Sequence, residues 1–199
     1  MKGYFEKTLL PTPYTVLGKA LKPFSIGHFL ILRRFNVGIV SDGLTQRTVD
    51  DLIFSVFVCC HTYAECRSLL YSGNWDKDIQ EWAIQFQDQP INWGEQYLLF
   101  DRYISEQTDL PHFHVLTGNN STGNKHYSDQ WYKGVIAWLA NGRGYTRDQV
   151  MDLPFNDGFY QYLSNKEENG IILFYTDTLE ERVREREKQS RDELLYGKH

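Results

Sequence analysis

Three histidines lie close together in the sequence and are the first residues that could do chemistry. His112 and His114 are two positions apart, and His126 follows within the same polar stretch. Three converging imidazoles could hold a divalent metal, since zinc sites need three or four ligands. The stretch is rich in Gly and Asn and has no cysteine, so its spacing is not that of a metal motif. We expect loop histidines here and keep a metal-dependent enzyme as a second alternative.

The other reactive side chains occupy one apolar stretch. His61 and Glu65 are four positions apart, which on one long helix would place an acid and a base on the same face. No H-E-x-x-H motif accompanies them, so a hydrogen bond on the helix surface is the favoured interpretation. Cys59, Cys60 and Cys66 lack C-x-x-C spacing and lie among Phe and Val, which predicts reduced, inert thiols. We therefore assign no catalytic, cofactor-binding or metal-binding residue.

Composition narrows the class of protein. The 199 residues include 13 Tyr, 12 Phe and 5 Trp, and this aromatic content excludes a disordered chain. A net charge of -5 argues against a nucleic-acid partner, because such binding depends on cations. The most apolar window, 52–60, is shorter than the ~20 residues of a membrane span. With no visible signal peptide, we expect a cytoplasmic protein without membrane or small-molecule partners.

Hydrophobic periodicity predicts a mainly α fold, a helical bundle with a small N-terminal β-hairpin and a charged C-terminal helix. Residues 14–22 read as a hairpin with a Gly18-Lys19 loop of type II′, leaning on the helix that follows Ser25. Thr48 and Asp51 form a capping pattern for one long helix to about Leu70. Further amphipathic helices are predicted at 76–87, after Pro90 and at 129–141. Thr146 and Gln149 form a capping box for a short helix, and Pro154 suits the first position of the next helix, which ends at Gly170.

We divide the chain into a helical domain, 1–175, and a charged arm, 176–199. Residues 108–125 read as an exposed polar insertion, and 171–175 could be a strand or a helix start. The arm holds seven acidic and six basic residues from position 177 onward, with a narrow apolar stripe. Two interpretations of the arm stay open: a solvated terminal helix, or a projecting arm that docks on a partner. The candidate partner-binding residues are Leu179, Val183, Leu194, Leu195 and Tyr196.

Two segments resemble small tail proteins of bacteriophages and prophages. Residues 14–35 run from a hairpin into a helix through Lys-Pro-Phe-Ser-x-Gly-His, which resembles the opening of such proteins. Residues 131–170 contain Trp-x6-Trp-Leu and Gly-Tyr-Thr-Arg-Asp-Gln-Val-Met-Asp-Leu-Pro before an aromatic helix, and resemble the later part of phage tail assembly chaperones. The insertion at 108–125 departs from that pattern.

The resemblance implies a non-enzymatic tail assembly chaperone or adaptor in the host cell cytoplasm. Its partners would be tail components, such as the tape-measure or tail tube protein, or a second copy of itself. A structural role as a minor tail or connector component of the virion is the first alternative. The motifs that carry the resemblance are structural, so no catalytic residue is implied.

Overall fold

The structure, a computed structural model, describes residues 12–38, 47–110, 113–115 and 131–174. Within these ranges the chain is mainly helical, with eight helices and four short strands, which confirms the predicted fold class. The strands are β1 Tyr14–Val16, β2 Lys19–Leu21, β3 Phe113–Val115 and β4 Ile172–Phe174. The helices are α1 Ile26–Arg34, α2 Val49–Cys60, α3 Tyr63–Ser72, α4 Trp75–Ile84, α5 Trp93–Thr108, α6 Trp131–Arg143, α7 Arg147–Asp152 and α8 Phe155–Glu168.

The N-terminal hairpin forms where it was predicted, with a different loop. Strand β1 pairs antiparallel with β2, and Tyr14 lies opposite Leu21. The two loop residues are Leu17 and Gly18, whose φ angles are +52° and +68°. Positive φ at both positions is typical of a type I′ turn, so the predicted Gly18-Lys19 loop of type II′ is wrong by one residue. The I′ loop is favoured because its twist matches the right-handed twist of the strands.

The hairpin packs on α2 and α5, whereas the sequence suggested that it would lean on α1. The backbone N–H of Lys22 donates to the carbonyl of Cys59 at 2.9 Å, at the end of α2. The Tyr103 hydroxyl of α5 donates to the carbonyl of Lys22 at 2.8 Å. These two bonds hold the residue after β2 against α2 and α5.

The long helix predicted from Thr48 to Leu70 is two helices. Helix α2 ends at Cys60, and its C-cap His61 has an extended backbone at φ −111° and ψ 157°. Thr62 then caps α3: its Oγ1 accepts the Glu65 N–H at 3.2 Å, and the Glu65 Oε2 accepts the Thr62 N–H at 2.6 Å. The break follows from this capping box, which satisfies backbone N–H groups at the start of α3 that would otherwise lack partners.

The core forms around α2 and α5. Leu52, Val56 and Val58 of α2 are completely buried. Tyr103 of α5, which the periodicity of α5 did not single out, is 1% exposed, and its ring centroid lies 5.5 Å from Tyr14 and 6.0 Å from Phe24. Edge-to-face packing of this kind adds to the burial of apolar surface.

Helices α1, α7 and α8 meet at a backbone junction, which we call the α1–α7 junction. The Ile26 N–H donates to the Leu153 carbonyl at 3.2 Å, and the Phe155 N–H donates to the Phe24 carbonyl at 2.7 Å. Pro154, predicted as the first residue of α8, is instead the N-cap of that helix. Residues 24–26 and 153–155 therefore pair like two short strands, far apart in sequence.

The open question at 171–175 is answered by a second antiparallel pair. Strand β4 pairs with β3, and Phe113 lies opposite Phe174 in the register. The predicted insertion 108–125 thus includes the end of α5 and a strand. Five apolar residues could not reveal this pairing, because a strand is defined here by a partner almost sixty positions away. The charged arm, 176–199, lies outside the described residues.

Candidate functional site

The residues proposed from the sequence as partner-binding lie outside the described residues. These are Leu179, Val183, Leu194, Leu195 and Tyr196, together with His112 and His126 of the histidine trio. His114 lies in β3, where it is opposite Leu173. In the described ranges, no three His, Cys, Asp or Glu residues are grouped so that they could hold a metal ion.

His61 and Glu65 do not form the acid–base pair that one long helix would have allowed. The Glu65 carboxylate is bound to the Thr62 N–H, and this bond is the main cause that lowers its pKa. The His61 Nδ1 lies 2.7 Å from the Phe57 carbonyl, so the ring turns back on its own helix. Both side chains therefore shape the break between α2 and α3.

His28 is almost completely buried, at 1% exposure. Its Nδ1 accepts the Ser25 N–H at 3.1 Å, so the proton is on Nε2, which lies 2.7 Å from the His61 carbonyl. Burial lowers the pKa of His28 to about 4, despite the bond to the His61 carbonyl and the nearby Asp152 carboxylate. The signal that could have located it is the spacing Ser25-x-x-His28, an unusual capping box with His in place of Glu.

The three thiols are free, and two of them are buried. Burial raises the pKa of Cys60 to about 11 and that of Cys66 to about 12, and it raises the pKa of Cys59 further. The Cys66 thiol faces the Val58 carbonyl at 3.6 Å. The pKa of each thiol is raised, whereas a nucleophilic cysteine needs a depressed pKa, so these shifts favour the predicted inert thiols.

Helices α3 and α7 enclose a surface pocket of about 370 Å³. We name it the α3–α7 pocket. Its α3 wall is formed by residues at four-residue spacing, which share one face of the helix. The lining residues are Tyr63, Arg67, Tyr71, Thr146, Arg147 and Asp148.

An ion pair crosses the α3–α7 pocket. The Arg67 Nη1 lies 2.5 Å from the Asp148 Oδ1, and each side chain is about half exposed. The same guanidinium lies 5.9 Å from the ring centroid of Tyr71, within the range of a cation–π contact. Tyr71 is 82% exposed, the largest exposed fraction among the large hydrophobic side chains of the described ranges.

The Tyr63 end of the α3–α7 pocket is held by contacts to α7 and α1. The Tyr63 N–H donates to the Asp152 Oδ1 at 2.6 Å, which ties the start of α3 to the end of α7. The Tyr63 ring lies against Gly27 of α1 so closely that a Cβ on Gly27 would be 2.5 Å from the ring atom Cδ2. The pocket is thus positioned by contacts that adjoin the α1–α7 junction.

Comparison of the chain with protein-family models, with curated proteins and with solved structures finds no match. No helix in the described ranges is both long and apolar enough to cross a membrane. The α3–α7 pocket offers arginine N–H groups for charge-assisted hydrogen bonds and tyrosine rings for stacking. Both kinds of group are suited to binding another molecule.

Proposed function

We propose that this protein is a non-enzymatic tail assembly chaperone or adaptor of a bacteriophage, acting in the host cytoplasm on tail components. The observation that carries the binding role is the α3–α7 pocket, where arginine and exposed tyrosine side chains come together, and the assignment to tail components rests on the sequence resemblance. Aromatic residues and Arg are enriched at protein interfaces and dominate their binding energy. By contrast, His28, His61 and Glu65 are engaged in contacts that hold helices together.

The packing of the two segments that resemble tail proteins supports the proposal. Residues 24–26 of the first segment bond to residues 153–155 of the second through the α1–α7 junction. The second segment also supplies Thr146, Arg147 and Asp148 to the α3–α7 pocket. The motifs of the resemblance therefore form one structural unit with a binding surface beside it.

A chaperone must release its partner, and the exposed polar chemistry of the pocket suits reversible binding. Rim ion pairs contribute up to ~1 kcal/mol each and are screened by salt, so they give rapid association rather than permanent attachment. The holding role therefore fits an open, charged surface better than a wide apolar one.

Co-expression of the full chain with each protein encoded by the neighbouring tail genes tests the function. We expect a tape-measure or tail tube protein to co-purify with the chain and to stay soluble only in its presence. Absence of a complex with every tail protein would contradict the adaptor role. Mass spectrometry of purified particles tests the alternative, since a stoichiometric amount in the virion would favour a structural component.

A further inference from the structure

We propose that the α3–α7 pocket binds a segment of the partner protein that carries a carboxylate beside an apolar or aromatic side chain. The inference names the chemistry of the partner and rests on the proposed adaptor function. Its basis is an excess of hydrogen-bond donors over acceptors in a concave site that is lined by aromatic rings.

The donors come from two arginines. Each guanidinium carries five N–H groups. Arg67 uses one contact on Asp148, and Arg147 forms no hydrogen bond or ion pair within the part of the chain that the structure describes. A second carboxylate would find unused N–H groups on both arginines and would make the bidentate contact for which Arg is suited.

Within the part of the chain that the structure describes, no carboxylate near the pocket forms an ion pair with Arg147. Asp148 is engaged by Arg67 at 2.5 Å. Asp152 accepts the Tyr63 N–H, and Glu65 accepts the Thr62 N–H, so both are directed to the first turn of α3. These acidic groups are therefore used internally, and Arg147 is left for an external one.

The tyrosine rings of the pocket favour a protein segment over a simple anion as the ligand. Tyr71 is exposed beside the Arg67 guanidinium, and Tyr63 is half-buried in the lining of the pocket. An inorganic anion would leave the Tyr71 ring in water, whereas a peptide brings an apolar side chain to cover it next to its carboxylate. We therefore assign the pocket to an acidic, ring-contacting segment of a protein.

Fluorescence anisotropy with the full chain and two labelled synthetic peptides tests the assignment. In one peptide Glu alternates with Leu and Phe, and in the other every Glu is Gln. We expect the Glu peptide to bind about tenfold more tightly, and Arg147→Gln to remove that preference, since one charge-assisted contact is worth about a factor of ten. Tyr71→Ala should weaken both peptides severalfold.

Arg34→Gln is the matched control, because Arg34 is an exposed arginine of α1 that does not line the pocket. Its peptide affinity should equal that of the unmodified chain. Equal binding of the two peptides, or no effect of Arg147→Gln, would overturn the assignment. Competition by inorganic phosphate as effective as competition by unlabelled Glu peptide would also overturn it, in favour of a general anion pocket.

The two proposals fail separately. Arg147-dependent binding of the Glu peptide, with no complex between the chain and any tail protein, would contradict the adaptor function alone. A tail-protein complex that Arg147→Gln and Tyr71→Ala leave unchanged would contradict the pocket assignment alone.

Discussion

At the scale of single residues, the neutral imidazole of His28 connects the start of α1 to the end of α2. It accepts from the Ser25 N–H at the start of α1 and donates to the His61 carbonyl at the end of α2. The charged and titratable groups that influence it are Asp152 of α7, Lys22 and His61. Protonation would set a second ring N–H against the Ser25 N–H in a buried place, so the folded state holds His28 uncharged.

His28 makes stability depend on pH in a defined window. Its pKa is about 4 in the folded protein, against 6.5 for an unperturbed histidine, so the unfolded chain binds more protons between these values. Stability is fully present above pH 6.5 and falls as the pH approaches 4. We expect a loss of about 2 kcal/mol in unfolding free energy from about pH 8 to about pH 5, measured by urea titration.

The histidine contribution is isolated by comparison with His28→Asn, which should be less stable at neutral pH but should lose less on acidification. NMR titration of the His28 ring gives its pKa directly. A ring that titrates at the ordinary histidine pKa in the folded protein would contradict the assignment of His28 as a buried neutral contact.

The Tyr63 ring occupies the space that a side chain at position 27 would need, so glycine fits there without a clash. A Cβ would lie between 2.5 and 2.7 Å from three Tyr63 atoms, one of them Cβ, which is close to the backbone and cannot swing away. Gly27→Ala should cost about 1–3 kcal/mol of unfolding free energy through overpacking. The control is Gly94→Ala in α5, where the added Cβ meets only the Asn92 Oδ1 at 3.6 Å. Equal stability of the two variants would refute the close approach of α1 and α3.

At the scale of elements, the break between α2 and α3 depends on a capping box. Thr62→Ala removes the acceptor for the Glu65 N–H and should lower the unfolding free energy by about 1 kcal/mol, as N-cap substitutions do. Ser68→Ala, at an exposed position within α3, is the control and should change stability by less than ~0.5 kcal/mol. A loss in the control as large as that in Thr62→Ala would show that the cap is not responsible.

At this scale, the spacing of capping residues predicts several helix starts. The capping boxes at Thr48 and Thr146 were predicted from spacing and are present. The sequence pattern does not reveal the box at Thr62, because apolar residues continue on both sides of it, and it misplaces the hairpin loop by one residue, because Leu17 is not expected at positive φ. Such errors arise where packing outweighs the preference of one residue.

At the scale of the whole molecule, the charged arm remains a prediction from sequence. If Leu194 and Leu195 dock on a tail component, the double substitution Leu194→Asp and Leu195→Asp should weaken the complex by at least about tenfold, because two apolar contacts are lost and two charges are buried. Co-purification measures the effect. The control Arg186→Gln and Lys188→Gln changes charge on the arm and spares its apolar tip; an equal loss there would point to charge rather than apolar docking.

The sequence by itself determined the mainly α class, the hairpin, the caps of α1, α2 and α7, and the apolar positions of the helices. These features depend on neighbours within a few positions, so periodicity and spacing carry them. The tertiary structure alone decided the burial of His28, the pairing of β3 with β4, the α1–α7 junction and the α3–α7 pocket. Each of these joins residues that are distant in the chain, and their contact depends on how all the helices pack together, which no local pattern records.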